Sequence, residues 1–130
     1  MTGENRIPED PGEWLARAKS SLCLAGMDVE GVLYEDLCYQ AQQAAEKAIK
    51  AVFISRNIPY PYIHSINTLI TILENGGMTI PERIWNTSTL SVYATGTRYP
   101  GFEPVTRDEY LEAVRFAGEA VSWAEEIIGL

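Results

Sequence analysis

Soft metal ligands are scarce in this chain, which has two cysteines and a single histidine. A closed zinc site takes about four such donors, so no metal and no cofactor is expected. Cys23 and Cys38 both fall inside helical patterns and read as buried free thiols, not as a disulfide frame. Long apolar runs are missing as well, since nothing approaches the roughly 18 to 20 residues that cross a bilayer. Met1 to Asp10 is polar and lacks the apolar segment of a secretory signal. A cytoplasmic protein with no membrane contact is the expectation. Positive charge is the remaining shortage. Ten Lys and Arg stand against eighteen Asp and Glu, for a net charge of −8. General DNA binding needs a broad basic face that neutralises phosphates, and this balance excludes it. One local basic pocket on an acidic body stays open. There is no glycine-rich phosphate loop, and with His64 alone no Ser–His–Asp arrangement is supported.

What is plentiful is alanine at helical spacing. The stretch from Leu37 to Val52 contains Ala41, Ala44, Ala45, Ala48 and Ala51. Alanine loses no side-chain entropy in a helix, and this spacing leaves a low-relief stripe where a second helix comes close. The stripe fits either a bundle interior or a two-fold dimer axis. Three helix starts flank it. Asp10-Pro11-Gly12-Glu13 offers a capping Asp with Pro at the first helical position. Thr79-Ile80-Pro81-Glu82 and Thr106-Arg107-Asp108-Glu109 each match the Thr-x-x-Glu capping box. Helices are therefore predicted over 11–25, 33–55, 81–94 and 107–128, with another opening at His64 or Ser65 and stopped by Asn75-Gly76-Gly77. Asn57 and Pro59-Tyr60-Pro61 end the second of these. Glu46 and Lys50 are spaced as an i,i+4 ion pair. No strand or repeat is apparent. Short connections favour antiparallel neighbours. The expected fold is all-α, an up-down bundle of four or five helices, with one domain over 11–130 after a flexible N-terminus of residues 1–10. Apolar surface on so long a second helix favours a homodimer.

Three strings resemble the HEPN domain family: Tyr39-Gln40-Ala41-Gln42-Gln43-Ala44-Ala45-Glu46-Lys47-Ala48-Ile49-Lys50-Ala51, His64-Ser65-Ile66, and Thr97-Arg98-Tyr99-Pro100. The resemblance runs from about Trp14 to Ile128. It implies a four- or five-helix bundle that commonly dimerises. It also implies one of two roles. Many members pair with a minimal nucleotidyltransferase as halves of toxin–antitoxin or related systems. Others are metal-independent ribonucleases that use an Arg and a His a few residues apart.

Arg56 and His64 are the candidate catalytic pair, separated by seven residues that include Pro59 and Pro61. That is one residue beyond the family spacing. In the ribonuclease role His64 helps move the 2′-hydroxyl proton and Arg56 stabilises charge building on the phosphate. The attacking oxygen is already in the RNA, so no metal is needed. Alternatively, Arg56 answers the dipole at a helix C-terminus and His64 merely opens the next helix. Gln43, Lys47 and Lys50 share one flank of the second helix, either as a nucleotide or RNA contact or as a solvated face. Arg98 and Tyr99 offer a guanidinium fork for phosphate and a ring for a base. Equally, Arg98 binds a carboxylate such as Glu103 while Tyr99 packs the loop onto the bundle. Tyr60, Tyr62 and Tyr99 are the loop hydroxyls that a partner nucleotidyltransferase would modify. Trp14, Trp85, Trp123 and Tyr93 read as packing residues. The first expectation is thus a nucleotide- or RNA-binding partner subunit. The alternatives are an endoribonuclease toxin and a purely structural dimeric module.

Overall fold

The computed structural model describes residues 10–94 and 103–129. Helix α1, Pro11–Ala25, starts after Asp10, whose carboxylate accepts the Gly12 N–H at 3.0 Å. Helix α5, Arg107–Ile128, starts with a complete capping box. Thr106 Oγ1 accepts the Glu109 N–H at 3.1 Å, and Glu109 Oε1 accepts the Thr106 N–H at 2.8 Å. Helix α2, Tyr34–Ser55, gives way at Asn57, which takes a left-handed φ of 57°. Asparagine visits that region more readily than most side chains do. Helix α3, Ile66–Asn75, is capped by Ser65 and stops at Gly76 and Gly77, the latter left-handed.

The remaining Thr-x-x-Glu string behaves differently. The helix expected over 81–94 is replaced by one turn, α4, Glu82–Trp85, followed by a 3-10 helix, Asn86–Tyr93. Proline explains the lost cap. It pushes its predecessor out of the helical region. At Asp10-Pro11 that predecessor is the cap itself, extended at φ −89° and ψ 119°, so nothing conflicts. At Thr79-Ile80-Pro81 the predecessor would be the first helical residue. Ile80 goes into the core instead, and the helix begins after Pro81 with no side-chain cap. The following Asn86-Thr87-Ser88-Thr89 run favours tighter winding. The Thr87 and Thr89 hydroxyls donate to the carbonyls of Ile84 and Asn86, each three residues back. Short polar side chains compete for backbone groups in this way.

The alanine stripe lies in the bundle interior. Ala41, Ala44, Ala45, Ala48 and Ala51 are all fully buried, and α2 packs against both α1 and α5. Phe53, Leu15, Leu69, Ile70, Ile84 and Leu90 complete the core around it. Helix α5 begins where α1 finishes: Tyr110 Oη donates to the Ala25 carbonyl at 2.7 Å, and its ring stacks on Tyr34 at 4.8 Å. The α4 and 3-10 segment runs back along α5. Arg83 pairs with Glu119 and Glu126, whereas Leu90 and Tyr93 share a cleft with Glu109 and Phe116. Trp123 is buried, with Trp85 and Tyr93 packed against the core.

Neither cysteine forms a disulfide, and only Cys38 is buried. Cys23 is exposed, because it falls on the side of α1 away from Leu15, Ala18 and Ala25. Among the described residues there is no strand, no metal-ligating cluster, and no helix long and apolar enough to cross a membrane. The segment expected to be a flexible N-terminus, apart from Asp10, lies outside the described residues.

Candidate functional site

An open cleft of about 310 Å³ lies between α1, α2 and the connection into α3. Helix α2 contributes Gln43, Glu46, Lys47 and Lys50, whose three- and four-residue spacing puts them on one flank. Trp14 enters from α1, and Tyr60, Tyr62, Ile63 and His64 come from the connection. Pro59 and Pro61 deny that connection a helix, and the Tyr60 ring is fixed edge-on to Phe53 at 5.1 Å.

A chain of hydrogen bonds orders the floor. Gln43 Nε2 donates to Gln42 Oε1 at 2.8 Å, and Gln42 Nε2 donates to Glu46 Oε1 at 3.0 Å. The same carboxylate oxygen meets His64 Nδ1 at 2.9 Å. Gln42 is fully buried, so its amide needs those partners and is held in one orientation by them. Since a carboxylate only accepts, Nδ1 carries a proton, and in the neutral ring Nε2 is left as the acceptor. The imidazole is 68% exposed and the carboxylate only 14%, so the protein anchors one end of the pair and presents the other to solvent.

Glu46 is therefore engaged elsewhere, and the expected Glu46–Lys50 ion pair does not form. The Lys50 ammonium instead sits 4.2 Å from the Trp14 ring centroid and 4.9 Å from that of Tyr60. Two ring faces stabilise the cation where water is partly excluded. Lys47 Nζ donates to Ser21 Oγ at 2.9 Å. Burial pushes both lysines below the ordinary 10.5; the nearby Arg17 adds to this for Lys47, and Glu46 opposes it for both. An anion entering the cleft would relieve that cost. The Tyr60 hydroxyl is buried with no hydrogen-bond partner. Burial first, and Glu46 second, drive its ionisation far above the usual phenol range.

Gln43, Lys47, Lys50 and His64 are thus brought to one cleft. Arg56 is not: it lines a separate cleft of about 460 Å³ with Ile58, Gly76, Gly77, Met78, Thr79 and Ile127, at the C-terminal end of α2. Arg98 and Tyr99 lie outside the described residues. Of the tyrosines considered for modification, Tyr60 is a buried phenol, Tyr62 is 92% exposed, and Tyr99 is among those outside. Three contributors escape a reading of the sequence, Trp14, Gln42 and Glu46, and Tyr60 enters the cleft as a ring where it was expected only as a hydroxyl for modification. One signal for them was present. Gln42 interrupts the buried alanine positions, and a buried amide demands polar company nearby.

Comparison with known proteins identifies the fold that carries this cleft. The HEPN domain model matches residues 12–127. Among solved structures, the chain is similar to TT1696 from Thermus thermophilus, with a TM-score of 0.78 and 30% identity, covering 90% of this chain and 97% of that one. It is also similar to ST0689, an archaeal HEPN homologue, with a TM-score of 0.73 and 24% identity, covering 92% and 98% respectively. No curated protein matches.

Proposed function

Because the chain belongs to the HEPN domain family, we propose that it acts as the nucleotide- or RNA-binding partner subunit of a minimal nucleotidyltransferase, in a toxin–antitoxin-like pair. The observation that supports binding is Lys50 held between Trp14 and Tyr60, next to Lys47. Two cations and two aromatic faces in one cleft match the two halves of a nucleotide. The ammonium groups meet phosphate, and once Lys50 turns to that phosphate the ring faces it covers are open to stack a base, worth about 1–3 kcal/mol per base. His64 Nε2 adds an acceptor at the rim. Isothermal titration with nucleotides and short RNA oligomers tests the reading. Saturable binding that weakens at least tenfold in Lys47→Ala/Lys50→Ala supports it, and no heat at millimolar ligand sinks it. Co-purification with a nucleotidyltransferase encoded beside the chain tests the partnership separately.

The Glu46–His64 pair favours a second reading, an endoribonuclease, since a carboxylate-oriented imidazole is a competent proton carrier. Arg56 lining a different cleft counts against it. Cleavage of an RNA pool in EDTA, lost in both His64→Ala and Arg56→Ala, would put this reading first. A homodimer is part of either reading, formed through a surface other than the buried alanine stripe.

A further inference from the structure

Among the described residues, six of the eight exposed large apolar side chains gather at one end of the bundle: Leu24, Met27, Val29, Val32, Leu33 and Leu111. The Tyr110–Ala25 hydrogen bond joins the first turn of α5 to the last turn of α1, so Leu111 belongs to the same end as the α1–α2 connection. Leu33 breaks a local rule there. It occupies the N-cap of α2 with no side-chain cap and is 64% exposed. Ser, Asp or Asn at that position would contribute about 1 kcal/mol, so the fold gains nothing from a leucine that neither caps nor packs. Where a sequence gives up local stability without a gain inside the fold, function is the usual cause.

The rim of this face is acidic. Residues 24–36 carry Asp28, Glu30, Glu35 and Asp36 and no Lys or Arg, with Glu35 accepting the Val105 N–H. Glu103 and Asp108 stand beside Arg107 at the start of α5, whereas Glu109 and Glu112 line the cleft with Leu90 and Tyr93. Most of these carboxylates are exposed. Such a rim repels nucleic acid and anionic lipid, and two copies meeting face to face would oppose like charges across a desolvated patch. We propose that this end docks a protein partner that presents an apolar ridge flanked by Lys and Arg. The proposal draws on the partner-subunit reading but not on the nucleotide cleft. Leu24 stands ten positions along α1 from Trp14, about 15 Å at the helical rise.

The test uses the full chain, ¹⁵N-labelled, and two synthetic amphipathic helices with one leucine face. One is flanked by lysine and its twin by glutamate. The lysine peptide is expected to shift amides within 24–33 and 107–112, and the glutamate twin to shift none. Leu33→Asp should weaken the lysine peptide at least tenfold while leaving thermal stability intact, because Asp suits a helix N-cap. Glu30→Lys should weaken it too with the apolar patch untouched. Equal binding of both peptides, no binding, or shifts centred elsewhere overturns the proposal. So does a dimer that Leu33→Asp turns into monomer, which would make this face a self-interface. Nucleotide added to the same sample reports on amides of the Trp14–His64 cleft, so the failure of either idea is seen separately.

Discussion

The two sides of α2 solve opposite problems. One side presents Ala41, Ala44, Ala45, Ala48 and Ala51 to neighbouring helices with no exposed surface left over. The other presents Gln43, Glu46, Lys47 and Lys50 to a cleft where each polar group has been turned toward a ring, an amide or a hydroxyl. The alanine side admits little change because all five residues are fully buried against neighbouring helices. The polar side keeps two lysine ammonium groups partly desolvated, which in the proposed reading serves binding and not folding. Stability and ligand affinity should therefore respond to different substitutions on one helix.

The largest effect is expected on the alanine side. Ala45→Leu or Ala48→Leu overpacks a fully buried position and should cost about 1–3 kcal/mol. Thermal unfolding checks this as a drop of several degrees. On the polar side, Lys50→Ala should weaken nucleotide binding about tenfold, about 1.4 kcal/mol, while unfolding changes little. If that variant lowers stability as much as Ala45→Leu does, the division between the two sides is wrong. A third substitution reverses sign. Tyr60→Phe removes a buried hydroxyl with no partner and should raise stability by about 1 kcal/mol, seen in urea denaturation.

Dependence on pH sharpens the contrast. Both lysines ionise below the ordinary 10.5 in the folded, empty protein. An anionic ligand prefers their charged forms, so binding takes up protons and affinity falls with rising pH, beginning below 10.5. The sign for folding is opposite. A depressed folded value means stability contributed above the unfolded value and lost as pH falls through the folded one. Titrations at several alkaline pH values would show the affinity slope, and Lys47→Ala/Lys50→Ala should flatten it. The smallest effect is expected from Glu46→Gln. His64 is exposed, so the pair adds little, and stability should move by less than about 0.5 kcal/mol.

The scaffold was more legible than the cleft, for reasons that differ residue by residue. Helices α1 and α5 followed from caps whose chemistry is local, and Asp10 and Thr106 need only their own next three residues. Thr79 carried the same letters as Thr106, but Pro81 two places on made the cap incompatible with a helical Ile80. That conflict was itself readable, through the restriction proline puts on its predecessor. The side chains of the cleft were less so. Lys50 had Glu46 one turn away as an obvious partner, and the outcome depended on Trp14 and Tyr60, which lie 36 residues before and 10 residues after it. Only tertiary packing brings those rings to the ammonium. Arg56 and His64 are close in sequence yet line separate clefts, because Asn57 and the two prolines turn the chain between them.

The unequal exposure of the two thiols gives the molecule a clock. A thiol reagent should consume Cys23 at once, whereas Cys38 reacts only when the first turns of α2 leave their neighbours. Its modification rate therefore measures how often that part of the bundle opens under native conditions, without denaturant.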